Sequence, residues 1–128
     1  MRSDVSVIEK LPELVNANAA LVRRGKWFTA TWMAEVGTQQ YRVVTEAGHI
    51  AAVQPVKTHL QPWVFAVRAG EDAWQRFWRP MPEPGFHDII AMMRYGHLRL
   101  EGNLEPLIAN LLYMKAVLES PRQLEARR

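Results

Sequence analysis

His97-Leu98-Arg99-Leu100-Glu101-Gly102-Asn103, followed by Leu104 through Leu118, is the stretch that decides how this chain folds. The first part alternates, with Leu98 and Leu100 on one side and His97, Arg99 and Glu101 on the other, which is the pattern of a half-buried strand. Gly102-Asn103 turns the chain, Asn103 is a good helix N-cap, and Pro106 is tolerated in a first turn. Beyond it the spacing predicts one helix over 104–118. Its polar residues are Glu105, Lys115 and Glu119 in a narrow sector, with Asn110 alone among apolar neighbours. A helix resting on a sheet needs a single apolar stripe, and this one has enough for two. A second covering is therefore expected over it: another helix, a partner or a hydrophobic ligand.

Upstream, residues 7–24 read as an amphipathic helix ended by Gly25, with Pro12, Asn16 and Asn18 blurring its limits. Residues 26–35, 40–46 and 49–53 are strands by β-branched and aromatic content, joined at Gly37-Thr38 and Ala47-Gly48 into an antiparallel meander. A loop from Gln54 to Pro62 leads to a fourth strand at 63–68. Gly70-Glu71-Asp72 then opens a helix carrying Trp74, Phe77 and Trp78. The run 80–85, with Pro80, Pro82 and Pro84, is a rigid connector. Phe86, Ile89, Ile90 and Met93 form a further helical stripe ending at Gly96. Pro121 is expected to end the ordered fold. The order predicts an α+β domain: a mainly antiparallel five-stranded sheet with its helices on one face.

A chain of 128 residues with 48% apolar and 23% charged residues is one globular domain, not a disordered or fibrous one. We expect a core from about residue 7 to 120 and a short basic tail containing Arg122, Arg127 and Arg128. Net charge is +3, and twelve of the sixteen basic residues are arginines scattered along the chain, so no polybasic tail is evident. Cysteine is absent, which removes disulfides, thiol nucleophiles and sulfur-ligated metals. The start Met1-Arg2-Ser3-Asp4 lacks the apolar segment of a signal peptide, and no apolar run is long enough to span a bilayer, so the cytoplasm is the expected compartment.

The arrangement, carried by Gly96-His97-Leu98-Arg99-Leu100-Glu101-Gly102-Asn103-Leu104, resembles the sterol carrier protein type two family of lipid-binding domains. Phe86 to Tyr95, Trp63 to Arg68 with Glu71-Asp72, and the meander from Trp27 to Val53 fit the same resemblance, which covers about residues 10–118. The tryptophan-rich helix at 72–79 and the proline connector are bulkier than the family's usual pattern. The resemblance implies an apolar cavity between sheet and helices that holds an acyl chain, a sterol or a similar lipid. It brings no catalytic constellation and no cofactor.

Five tryptophans and six methionines exceed what a small core requires, and such side chains adapt to irregular apolar ligands. The candidate ligand-binding residues are Trp74, Phe77, Trp78, Phe86, Ile90, Met93, Leu107, Ile108, Asn110, Leu111 and Met114. Tyr95, His97 and Tyr113, with Asn110, are the polar groups that could orient a head group, and Arg94 and Arg99 could meet an anionic one. Taken alone, each is more often an ordinary core or surface residue. The histidines at 49, 59, 87 and 97 stand apart, so no metal is expected. Ser3, Ser6 and Ser120 are the only serines and none lies in a nucleophile elbow, and the seven glycines form no phosphate loop.

An acid–base enzyme of the ketosteroid-isomerase or polyketide-cyclase type is the alternative. Asp72, Asp88 or His87 would be its base and Tyr41, Tyr95 or Tyr113 its donor. Asp72 and Asp88 also sit where helix caps and first-turn acids belong. Phe28 and Trp32 share a strand face opposite Trp27, which suits a core better than a nucleic-acid platform. The expected partners are a hydrophobic small molecule or lipid, with transient membrane contact and a homodimer or neighbouring enzyme as further readings. An apolar helix 104–118 used for protein interaction is the third alternative.

Overall fold

The computed structural model describes residues 7–58 and 61–126. His59, Ser3, Ser6, the amino-terminal residues and the tail arginines Arg127 and Arg128 lie outside the described residues.

A helical turn at 7–9 precedes α1 (Leu11–Asn16) and α2 (Ala19–Arg24), then β1 (Ala30–Val36), β2 (Gln39–Glu46), β3 (His49–Pro55) and β4 (Phe65–Ala69). There follow α3 (Glu71–Phe77), α4 (Ile89–Arg94), β5 (Arg99–Gly102), α5 (Glu105–Ala109), α6 (Leu111–Glu119) and α7 (Arg122–Ala126). The expected helix over 7–24 is therefore broken by its two asparagines. Asn18 caps α2 by accepting the Leu21 N–H at 3.1 Å. Asn16 leaves the helix to pair with β3, donating to the Ile50 carbonyl at 3.0 Å and accepting the Ile50 N–H at 2.9 Å. A short amide side chain that offers the backbone other partners ends helices in this way.

The strands form one sheet in the order β3-β2-β1-β4-β5. The first three are the expected meander, and β5 lies antiparallel to β4. β4 runs parallel to β1, pairing Met33 with Ala66 and Val36 with Ala69. The cause is the connection after β3, which does not turn back but crosses the sheet. Val56 N–H reaches the Gln40 carbonyl, Arg42 Nε the Pro62 carbonyl, and Val64 N–H the Thr31 carbonyl, each within 2.9 Å. The β2–β3 turn has φ of 48° at Ala47 and 84° at Gly48, the type I′ geometry of a two-residue hairpin. A Cβ on Gly48 would collide with the Val22 carbonyl oxygen, so only glycine fits there.

Alternation assigns the two faces. Trp32, Ala34, Val36, Tyr41, Val43, Phe65, Val67 and Leu98 point to the helices and join the main core. Glu35, Arg68 and Glu101 lie on the outer face as a charged cluster, with Arg68 bonded to Glu35 at 2.6 Å and to Glu101 at 2.7 Å. Trp63 stacks over Arg68 at 5.7 Å. Helices thus gather on one face, and the polar second face is crossed by a loop.

The single helix expected over 104–118 is two. Asn110 has φ −125° and ψ 37°, and its side-chain amide donates to the Pro106 carbonyl at 3.0 Å. This break lets α5 and α6 bury separate faces: Leu107 from one, Tyr113, Met114, Val117 and Leu118 from the other. Pro121 does not end the fold. It precedes α7, a position where a missing N–H costs nothing.

Candidate functional site

The inner face of the sheet and helices α3 to α6 enclose a layer of rings. Trp32 stacks on Phe65 at 5.9 Å with 8° between planes. Trp74 stacks on Trp78 at 5.1 Å and meets the edge of Phe77 at 5.6 Å. Phe28 lies 5.5 Å from Tyr113, and Phe86 stacks on His97 at 4.5 Å. Buried tryptophan N–H groups need acceptors. Trp74 donates to the Glu35 carbonyl at 2.8 Å, Trp78 to the Leu118 carbonyl at 2.9 Å, and Trp32 to the Thr45 hydroxyl at 3.0 Å.

Of the candidate ligand-binding residues, Trp74, Phe77, Trp78, Phe86, Leu107 and Met114 come together in this layer. Trp74, Phe77 and Met114 have no accessible surface, and Leu107 has 1%. A side chain without accessible surface touches no void as large as a water molecule, so the layer is closed at these residues. Asn110 and Leu111 are half-buried at the α5–α6 break. Ile90, Met93 and Ile108 point outward, at 38%, 42% and 65% exposure, and Leu112 joins them at 67%. The outward placement of Ile90 and Met93 is a matter of helix phase. Asp88 is the N-cap of α4, which turns Ile89 and Met92 inward in their place.

The layer is held by a small number of polar ties. Asp88 accepts the Ala91 N–H at 2.9 Å and pairs with Lys115 of α6 at 3.1 Å. Partial burial raises the Asp88 carboxyl, but the Ala91 N–H and the Lys115 ammonium outweigh it and hold the group below the usual carboxylate range. Tyr113 donates to the Gly48 carbonyl at 2.7 Å, and burial pushes its hydroxyl up to about 12. Burial, with the charge of Glu9, also raises Tyr41. Asp72 pairs with Arg76 one helical turn away at 3.1 Å. The carboxylates and the phenol with which the acid–base alternative is most readily built are thus engaged in capping, pairing and strapping.

Arg122 is a tie that the sequence does not reveal, because it stands among the arginines that follow Pro121. Its Nε donates to the Phe77 carbonyl at 2.8 Å, and its Nη2 to the His87 and Phe86 carbonyls at 2.7 and 3.2 Å. The guanidinium also lies 4.7 Å from the centre of the Phe77 ring and 3.4 Å from Glu119. It fastens the proline connector to the end of α6. Only its proximity to Pro121, which starts a further helix, could have signalled this.

Two surface clefts flank the layer. One, of about 270 Å³, is lined by Glu35, Arg68, Gly96, His97 and Arg99. His97 joins it to the interior through its stack on Phe86, and Arg99 makes no ion pair among the described residues. The other, of about 280 Å³, is lined by Asn18, Arg24, Glu119 and Gln123. Arg94 is exposed at the end of α4, and Tyr95 is 63% exposed. Among the described residues no three His, Asp or Glu side chains group as metal ligands, and no helix is long and apolar enough to cross a membrane.

No protein-family model and no curated protein matches the sequence. Solved structures do match. A crystal structure of sterol carrier protein 2 superposes with a TM-score of 0.72 at 16% identity, covering 92% of this chain and 95% of that one. A conserved hypothetical protein from Thermus thermophilus, described as possibly a sterol carrier protein, gives 0.67 at 12% identity over 93% and 86%. The UbiJ-SCP2 ubiquinone synthesis protein gives 0.58 at 14% over 94% and 92%. Topology, helix placement and these superpositions agree: the chain has the fold of the sterol carrier protein type two domains.

Proposed function

We propose that this chain binds and carries a hydrophobic ligand, without chemistry on it, between the sheet and helices α4 to α6. The observation that supports the reading most is the wall itself. It is made of three short helices, of which α4 alone has a side-chain N-cap, broken at Asn110 and carrying outward apolar side chains at Ile90, Met93, Ile108 and Leu112. The opposite wall is fixed, since Trp78 and Arg122 bind α3 and the connector to the end of α6. Opening therefore belongs to α4 and α5, since Tyr113 ties the start of α6 to the Gly48 carbonyl. The Asp88–Lys115 pair is the polar contact to be broken, and a partly exposed ion pair is worth about 1 kcal/mol. An acyl chain or sterol body burying about 300 Å² of apolar surface gains about 7 kcal/mol, which more than offsets it. An anionic head would lie in the cleft of His97 and Arg99, beside Phe86.

The test is uptake of a naturally fluorescent polyene fatty acid. The wild type saturates at one probe per chain, Lys115→Ala takes it up faster, and Leu111→Arg does not bind it while keeping its circular dichroism. Absence of saturable uptake by the wild type overturns the reading. The same outward apolar residues support a second reading, a surface for a second copy or a neighbouring enzyme. A mass that rises with concentration in sedimentation favours it.

A further inference from the structure

At the opposite side of α6 from the Asp88–Lys115 pair, Arg23-Arg24-Gly25-Lys26-Trp27 forms a tip between α2 and β1. Trp27 is 83% exposed, whereas its neighbour Phe28 is buried at 1%. Arg23, Arg24 and Lys26 are all exposed, and none makes an ion pair among the described residues. The Lys26 ammonium lies 5.3 Å from the centre of the Trp27 ring. Glu46 is the carboxylate of the adjoining hairpin, which is held to the tip by Ala47 N–H to the Thr29 hydroxyl and Gly48 N–H to the Phe28 carbonyl. Glu119 shares a cleft with Arg24 but is paired with Arg122, so three cations beside Glu46 leave the tip with net positive charge.

The tip is also rigid. A Cβ on Gly25 would overlap the Tyr113 ring, so α6 packs directly against the Gly25 backbone. The same Tyr113 bonds the Gly48 carbonyl at 2.7 Å, bracing hairpin and tip together from beneath. An exposed indole fixed in water gains nothing from the fold. It gains at a bilayer interface, where tryptophan sits with its ring among the head groups. The surrounding cations are complementary to anionic head groups. A nucleic acid would call for several aromatic platforms in a row, and the tip offers one.

We propose that this tip docks the protein on an anionic lipid surface, with Trp27 inserted at head-group depth and Arg23, Arg24 and Lys26 against the phosphates. The contact reaches α6 through Gly25 and Tyr113. It stands apart from the carrier reading, because docking needs no ligand inside.

The experiment is co-sedimentation of the full chain with phosphatidylcholine vesicles, with and without about one-third phosphatidylglycerol. Each cation contributes about a five-fold change in partitioning, so the R23A/R24A/K26A variant binds the anionic vesicles about a hundred-fold more weakly. Trp27→Ala weakens binding, and it removes the blue shift and the quenching by brominated lipid that the wild type shows. Raised salt weakens wild-type binding through screening. Equal binding to neutral and anionic vesicles, unchanged binding of the triple variant, or anionic-lipid binding with Trp27 unquenched overturns the proposal. So does attachment to an acidic polymer such as heparin with no attachment to vesicles. Probe uptake is measured without vesicles, so a failure of docking and a failure of the carrier reading are told apart.

Discussion

Replacing Arg122 by alanine is expected to destabilise the protein far more than a surface arginine near a chain end should. The side chain is 19% exposed and directs three N–H groups at backbone carbonyls of residues 77, 86 and 87. Two of these bonds, at 2.7 and 2.8 Å, are short, and hydrogen bonds to a charged donor are worth about 1.5–3 kcal/mol when buried. Water entering the vacated space recovers part of that, leaving about 1 kcal/mol for each short bond. The contact over Phe77 adds about 0.5–1 kcal/mol. The Glu119 pair three residues away adds a few tenths, about the size of helical neighbour pairs. The total is about 3 kcal/mol, or a fall in Tm of about 12 °C for a chain of this size. Arg122→Lys cannot span three carbonyls and should recover less than half. Urea and thermal melts of the three proteins, followed by circular dichroism, make the comparison. A loss below about 0.5 kcal/mol for alanine, or full recovery by lysine, would refute the role given to this guanidinium.

Three smaller effects follow from the same contacts. Tyr113→Phe leaves the buried Gly48 carbonyl without its donor and costs about 1–2 kcal/mol in urea melts; an unchanged midpoint contradicts this. Asp88→Ala removes the α4 cap and costs about 1 kcal/mol at neutral pH. Because the folded-state carboxyl titrates below its unfolded value of about 3.9, its stabilisation is complete above that pH. It is lost as pH falls through the folded-state pKa, so wild type and variant converge in acid melts, and a gap that persists there speaks against the assignment. Ala47→Asn relieves a left-handed backbone at φ 48° and should raise stability by about 0.5–1 kcal/mol, which a higher Tm would report.

The parts of the fold that were legible are those written in period and turn chemistry. Alternation in 40–46, the Ala47-Gly48 hairpin and the Leu98–Leu100 strand all form where local pattern places them. The parallel pairing of β1 and β4 was not legible, because it depends on a loop crossing the outer face, and no local pattern records where a loop travels. Asn110 is legible as a polar residue among apolar neighbours, yet the break into two helices goes with its side-chain bond to the Pro106 carbonyl, which the sequence does not show. The candidate site divides along the same line. Trp74, Phe77 and Trp78 face inward as their spacing demands, whereas Ile90 and Met93 face outward because the buried stripe of α4, behind the Asp88 cap, falls one residue earlier, at Ile89 and Met92. Arg122 carries no periodic signal, and alternation sets Trp27 opposite Phe28 without recording whether anything covers it. One is fixed by carbonyls distant in sequence, and the other is distinguished only by what fails to cover it.

Native mass spectrometry of the freshly purified protein, with an organic extract analysed beside it, tests the carrier reading most directly. The account predicts a near-stoichiometric mass increment from one fatty acid, phospholipid or sterol-like molecule, released by the solvent and returned on adding the same lipid. A clean apo mass, unchanged in the presence of added acyl and sterol probes, would contradict it.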